Sequence, residues 1–474
     1  MVTAMANRSK EKSGFRIIVV GGGVVGLVAS HCFQKAGIDH VVLERRAEID
    51  PPEGASIAIY PHGARILEQL GCLDAAQADC EPCLRFKSRW PDGKLVFDDP
   101  FFDHIKNTHD QDILLFERRR YLRILYDSLP NKSYIRTGVA ARDVKQNADG
   151  VEVLLSDGTS EKGDLVLGCD GVYSRIRNLM WNHADAVSPG RISSEEKASL
   201  KTNWKCLVGT GPPEPGLGER DMTVVHDNRF SFLALTQPNR AFWFVFFRLD
   251  EPFAWPQRAN YTTKEAEELA ASIADHPVSD SLTFGHLWKR CDRSMLIPVE
   301  EGVLKHWYSG RIVLAGDSAH KVTPNIALGG NSGMESVVVL CNNLSRMLKE
   351  QGGVKPNQAT IEKYLEKYQE EQRHRIWWIM KFSGLITNVQ AWESSFAKFV
   401  ALWVLPLLPD RSIALALSII VWTAPSLEIA GKQSTLGKRT EISTIFKILG
   451  VFAVILFAVY KSLPVVRSSL YKEL

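Results

Sequence analysis

The residues of this sequence that could do chemistry begin with three glycines in Gly21-Gly-Gly23-Val-Val-Gly26. Residues 15–20 before them (Phe-Arg-Ile-Ile-Val-Val) read as a buried strand, and 27–36 as a helix closed by Gly37. His40-Val-Val-Leu then reads as a second strand ending in Glu44. Each part has a physical task. Gly21 makes the tight turn, Gly23 lets a pyrophosphate approach the backbone, and Gly26 lets the helix pack closely on the strand. The helix N-terminus offers unpaired N–H groups and a positive dipole end. Glu44 can accept hydrogen bonds from ribose hydroxyls, while its charge would repel a 2′-phosphate. The unit predicts a bound dinucleotide, FAD or NAD.

Two later segments choose between them. Asp164-Leu-Val-Leu-Gly-Cys-Asp170-Gly171 is a strand running into Asp-Gly and then a helix. Gly310-Arg-Ile-Val-Leu-Ala-Gly316-Asp317-Ser-Ala-His320 leads through Pro324 into Gly329-Gly330-Asn-Ser-Gly333 and an apolar helix. With these, roughly residues 15–345 resemble the class A flavin-dependent monooxygenases, the para-hydroxybenzoate hydroxylase-like group, whose Asp-Gly and Gly-Asp fingerprints they match. The resemblance implies FAD as the bound cofactor. It implies Asp317 as the carboxylate that holds a ribityl hydroxyl, and Gly330 where the loop backbone approaches the flavin. Asp170 and Gly171 would touch both FAD and the reductant. Arg118, in Glu117-Arg118-Arg-Arg-Tyr-Leu, would be the FAD-contacting arginine that opens an amphipathic helix, with Arg119 and Arg120 as alternatives. Ala58 would be the small residue that passes close to the cofactor. Taken singly, Asp170 and Asp317 could be helix caps and the arginine run a solvated face; the order of the three motifs favours the cofactor.

No second strand–glycine loop–helix unit follows, since Gly209-Thr-Gly211-Pro-Pro lacks a helix start. NADPH or NADH is therefore expected as a transient reductant, as in the family. His320 reads as a structural hydrogen-bonding residue, and no catalytic base is assigned. The twelve His form no H-E-x-x-H cluster and only Cys80 and Cys83 share a C-x-x-C spacing, so no metal is expected.

The elements that must position these residues are bounded by composition. At about 150 residues per domain, 474 residues give roughly three folding units. Apolar residues at 45% and charged residues at 23% exclude disorder and fibrous repeats. A net charge of +3 is too balanced for a chain that binds nucleic acid. Eight scattered Cys suggest reduced thiols facing the cytosol. The expected fold is α/β. A Rossmann-type FAD-binding domain comprises 14–80, 112–180 and 290–350. A mixed β-sheet substrate domain comprises 81–111 and 181–289. Residues 351–474 form a helical, membrane-prone C-terminal segment. Within the substrate domain, residues 222–250 read as strands with turns at Asp227-Asn228 and Pro238-Asn239. They carry Phe230, Phe232, Leu233, Leu235, Phe242, Trp243, Phe244, Phe246 and Phe247. Half of these would face one way, as sheet core or as the wall of a large apolar pocket.

The C-terminal run 448–460 is apolar and flanked by Lys447 and Lys461. Snorkelling lysines could extend it toward the ~20 residues of a membrane span, so an anchor is expected near 445–466. The shorter runs 399–409 and 413–423 fit a buried core helix or an interfacial hairpin. Lys432, Lys438, Arg439 and Lys447 precede the anchor. By the positive-inside rule the catalytic part faces the cytosol; the membrane expected is that of the endoplasmic reticulum.

With that tail the resemblance narrows to fungal FAD-dependent epoxidases of meroterpenoid and indole-diterpene pathways. It is carried by Gly316-Asp-Ser-Ala-His-Lys-Val-Thr-Pro-Asn325, by Trp307 before the strand and by the apolar C-terminal helices; Leu328 departs from the Gln of many relatives. It implies a prenylated, apolar substrate drawn from the membrane, an oxygen added to its alkene, and a product passed to a cyclase. The rival readings are a phenol hydroxylase of the salicylate type, which would need a base in a polar pocket, and a membrane-associated flavoprotein redox sensor.

Overall fold

The computed structural model describes residues 14–51, 54, 56–405 and 411–431. Two sheets carry the architecture. The first has six strands in the order Tyr308–Ser309, Ile312–Leu314, Leu165–Gly168, Arg16–Val20, Asp39–Leu43, Ile135–Arg136. All neighbours are parallel except the first pair, and Val19 stands level with both Leu167 and Val42. Near-continuous Val, Ile and Leu suit strands buried on both faces. The helices Val24–Ala36 and Leu328–Glu350 pack together where Gly316 and Gly333 leave room for Val25.

The second sheet has eight strands. Its order is His320–Lys321, Arg293–Val303, Lys201–Gly211, Arg240–Ala254, Phe230–Gln237, Asp221–His226, Arg85–Arg89, Leu95–Asp99. The strands expected in 222–250 are therefore present, with turns at 227–229 and 238–239. The expected boundary at residue 290 falls differently, because Arg293–Val303 pairs antiparallel with Lys201–Gly211 in this sheet. Gly209 belongs here too: a Cβ on it would meet the Trp243 ring at 2.0 Å. The two faces divide as the period of two requires. Phe232, Trp243 and Val245 pack under the helices Thr263–Ser272 and Phe284–Lys289, while Leu233, Phe242 and Phe246 face the main core.

The expected membrane localisation is corrected by the structure. Among the described residues no helix is long and apolar enough to cross a membrane. The run 448–460 and the anchor expected near 445–466 lie outside the described residues. Of the two upstream runs, 413–423 takes the core-helix form. Helix Ser412–Trp422 has 11 residues and buries Ala414, Leu417, Ser418 and Val421. Ser418 Oγ meets His109 Nε2 at 2.8 Å, and Arg65 and Arg375 donate to the carbonyls of Val421 and Ile420. An apolar run that ends in hydrogen bonds to the body of the protein is covering a core.

Candidate active site

The glycine loop is built by contact distances that admit no side chain. Gly21 has φ +111°, and a Cβ there would lie 2.4 Å from the Cys169 carbonyl oxygen. A Cβ on Gly26 would lie 1.8 Å from the Gly21 carbonyl oxygen, so the helix closes on the turn itself more tightly than on the strand. Gly23 is different. Its Cβ would meet nothing nearer than the Arg118 guanidinium at 3.9 Å. Glu44 fixes the loop from behind: its buried carboxylate accepts the Gly22 N–H at 2.7 Å and the Arg46 N–H at 2.9 Å.

Two helices begin at this place. Gly23 precedes Val24–Ala36 and Ala327, at φ +51°, precedes Leu328–Glu350; neither start has a side-chain cap or an acid in its first turn. Their first N–H groups and positive dipole ends are thus left for an anionic or electron-rich group. Asn331 joins the parts. It donates to the carbonyls of Ala58 and Ala327 at 2.9 Å each and accepts the Tyr60 N–H at 3.0 Å. Glu117 pairs with Arg240 and Arg293, tying the start of helix Arg118–Asp127 to the eight-stranded sheet. Of the arginine run, Arg119 pairs with Asp50 and Arg120 with Asp79; only Arg118 lines the cavity below.

That cavity has a volume of about 470 Å³. Six of the ten residues expected at the cofactor line it: Gly23, Ala58, Arg118, Gly171, Asp317 and Gly330. Gly21, Gly26 and Glu44 stand behind the wall and shape it. Asp170 is not on the wall. Its carboxylate accepts the Ser174 hydroxyl and the N–H groups of Arg175 and Ile176, so it caps helix Arg175–Val187 instead of facing a ligand. Asp317 forms an ion pair with Lys321, also on the wall. Burial alone would push the Lys321 ammonium down, but the Asp317 carboxylate outweighs it and the pKa rises. His320 is buried against Trp307 and hydrogen bonded to Ser336 at 2.8 Å, and burial lowers its pKa to about 4. It is a neutral structural residue.

The cavity continues away from the glycines into an apolar half. Phe97, Phe101, Phe102, Leu235, Phe244 and Leu417 are among its walls. From 222–250, Leu233, Leu235 and Phe244 reach it, whereas Phe230, Phe232, Trp243 and Phe247 belong to the far face. Below the joint, Glu335 is fully buried and accepts Arg375 at 2.7 and 2.9 Å, with His62 Nε2 at 3.2 Å. Burial would raise the Glu335 pKa, yet Arg375 reverses that and holds it low. The same arginine reaches Ile420, so it clamps helix Ser412–Trp422 to helix Leu328–Glu350.

Sequence reasoning missed several of these residues. Lys321 was legible at four residues from Asp317, and Asn331 directly follows Gly330. Ser88, His226, Asn325 and Gln390 line the apolar half, and no local motif marks them.

Known proteins resemble this chain in sequence and in fold. The sequence pattern of the FAD binding domain family matches residues 15–383. "FAD-dependent monooxygenase DEP2" of Alternaria brassicicola is 38% identical over 419 residues, covering 88% of this chain and 79% of that protein. "FAD-dependent monooxygenase atmM" of Aspergillus flavus is 34% identical over 407 residues, covering 86% and 85%. Among solved structures, Klebsiella pneumoniae HpxO complexed with FAD and uric acid superposes with a TM-score of 0.71 at 19% identity, covering 88% of this chain and 100% of that one.

Proposed function

The chain belongs to the FAD binding domain family and is an FAD-dependent monooxygenase of the kind found in fungal secondary-metabolite pathways, and on that premise we propose that it epoxidises an alkene of a prenylated intermediate. NADPH or NADH is the transient reductant and O₂ the oxidant. The residues present fit FAD. Two uncapped helix starts and the open approach at Gly23 suit a pyrophosphate and a flavin ring edge. Arg118 and the N–H groups after Gly23 would hold the phosphates, Glu44 a ribose, and Asp317 a ribityl hydroxyl. Ala58 and Gly330 would pass beside the ring, and Gly171 would border it. When bound, FAD supplies the reductive activation of O₂ that makes one oxygen electrophilic.

The observation that carries the epoxidase reading is the apolar half of the cavity. An alkene attacks an electrophilic oxygen through its own π electrons and needs no base. A phenol must first be ionised, which requires a base or cation beside its hydroxyl. The charged residues lining this cavity are Arg118, Asp317 and Lys321, all in the cofactor half, and the one histidine on the wall, His226, has both ring nitrogens engaged, by the Gln390 carbonyl and by Ser88, with its pKa lowered to about 4 by burial. The work left to Phe101, Phe102, Phe244 and Leu417 is to hold the double bond in reach and to exclude water from the reacting atoms. The epoxide would pass to a cyclase, the reaction class that opens such a ring.

The test is turnover of prenylated and phenolic compounds by the FAD-loaded enzyme with NADPH under isotopically labelled O₂. The expected product carries one labelled oxygen across a prenyl double bond. A labelled aryl hydroxyl would replace this reading with the phenol hydroxylase, and NADPH oxidation unaffected by any compound would favour the sensor.

A further inference from the structure

The apolar half of the cavity is not uniformly apolar. Ser88, His226, Asn325 and Gln390 meet there, all nine-tenths or more buried, and they arrive from four separate parts of the chain. Ser88 and His226 lie on the neighbouring strands Arg85–Arg89 and Asp221–His226. Gln390 ends the long helix Gln358–Gln390, and Asn325 sits in the short turn Pro324–Ile326 that leads to the flavin-side helix.

Their hydrogen bonds have a direction. His226 Nδ1 is 3.1 Å from the carbonyl oxygen of Gln390, which can only accept, so Nδ1 carries the hydrogen. Nε2 then accepts from Ser88 Oγ at 2.9 Å, which commits the one Ser88 hydrogen and leaves its lone pairs unused. On the other side, Thr387 donates to Asn325 Oδ1 at 2.9 Å, and Asn325 Nδ2 donates to Gln390 Oε1 at 2.7 Å. Thr323 lies within hydrogen-bond distance of both Thr387 and Ser383, which braces Thr387 in turn. The Gln390 amide nitrogen is left with no hydrogen-bond partner among the described residues. That nitrogen opens on the cavity, so an apolar chain displacing solvent there would leave a donor without a partner, which is costly, and a serine held as an acceptor faces the same cavity.

We propose that this cluster is a headgroup subsite, in which Ser88 accepts from and Gln390 donates to one neutral group that both donates and accepts, such as a hydroxyl, an enol or a lactam. His226 and Asn325 are positioning residues that orient the serine and the amide. An anionic headgroup is excluded, because every cation of the cavity wall lies in the cofactor half. The inference rests on the reading that the substrate carries a long apolar chain, and it adds which end of that substrate sits against which wall. The head binds at Ser88 and Gln390, and the chain runs from there toward the glycines.

The test uses FAD-loaded enzyme and four probes of one carbon skeleton: geranylgeraniol, its methyl ether, the parent hydrocarbon and geranylgeranoic acid. Binding is read from the change in flavin absorbance, and flavin content and melting temperature are checked for each variant. The alcohol is expected to bind on the order of ten-fold tighter than the ether or hydrocarbon, one net hydrogen bond each way, with the acid weakest. Gln390→Leu and Ser88→Ala should each erase most of that preference while hydrocarbon affinity holds. Asn325→Leu, which touches the head only through Gln390, should do the same, and Asn325→Gln should restore part of it. Equal binding of alcohol and hydrocarbon, or a preference that survives both Gln390→Leu and Ser88→Ala, overturns the subsite but leaves the apolar-chain reading standing. If none of the four binds while a short phenol does, both fall together.

Discussion

The two halves of the cavity are made from different materials. The cofactor half is made of backbone: Gly21 and Gly26 sit where a Cβ would lie 2.4 and 1.8 Å from a carbonyl oxygen, and two helix starts present bare N–H groups. The apolar half is made of side chains from segments hundreds of residues apart, Phe101 and Phe102, Leu233 and Phe244, Leu417. Backbone in contact with backbone has nowhere to move. Side chains in a wall can be exchanged for others of similar volume at modest cost. The difference explains how one cofactor site can serve many substrate shapes: what changes is the half that can change.

This contrast can be broken from either side. The largest effect is expected from Gly26→Ala. Its methyl group collides with the Gly21 carbonyl, so both flavin content and folding should be lost, at ~3 kcal/mol or more. A normal melting temperature with full flavin would mean the loop is far softer than its distances state. Gly23→Asp should separate the two properties. The site has room for the side chain, so the protein should fold, but the carboxylate stands where pyrophosphate approaches and the purified protein should be colourless. Leu417→Ala tests the other half. It should cost about 2–5 kcal/mol in stability, keep flavin at full occupancy, and shift turnover toward longer or bulkier chains. Loss of flavin instead would show that the halves are not separable.

Asp317→Ala is expected to be milder for the cofactor. One charge-assisted hydrogen bond, about 1.5–3 kcal/mol, corresponds to roughly ten- to a hundred-fold in FAD affinity. Titration of apoprotein with FAD measures it, and unchanged affinity would reduce Asp317 to the partner of Lys321. An effect of pH, small for each histidine at each step but cumulative, reaches beyond the cavity. His62, His109, His226 and His320 are buried, and burial lowers each pKa to about 4. The unfolded chain binds their protons at the ordinary histidine pKa near 6.5. Stability from keeping them neutral is therefore complete above about pH 6.5 and falls as pH drops toward 4, by up to ~1.4 kcal/mol per unit for each. Glu335, held low by Arg375, adds a further loss below the ordinary glutamate range. Chemical denaturation at a series of pH values checks the slope.

How much was legible follows the same division. Gly21, Gly23, Gly26 and Glu44 lie within one strand–helix–strand unit, so spacing alone placed them around a loop. Arg118 was identifiable by type, but not separable from Arg119 and Arg120 until Asp50 and Asp79 were seen to claim those two. Asp170 matched a motif, yet its oxygens turn toward a helix start. Ser88 and Gln390 are about 300 positions apart and meet only because the sheet and the long helix converge; no local pattern encodes that. The run 413–423 left a buried core helix and an interfacial hairpin both open, and the structure takes the first. Its true environment is set by His109, Arg65 and Arg375, which are distant in sequence.

The position of helix Ser412–Trp422 along the chain also fixes an order in time. A ribosome delivers the glycine loop first, Asp317 and Gly330 later, and the wall formed by Ile413 and Leu417 last. At ordinary elongation rates, on the order of ten seconds separates Gly330 from Trp422. During that interval every cofactor-side residue named above has been synthesised while one flank of the cavity is still open. That flank is completed only when the Ile420 carbonyl arrives to meet Arg375, after the cofactor side is already made.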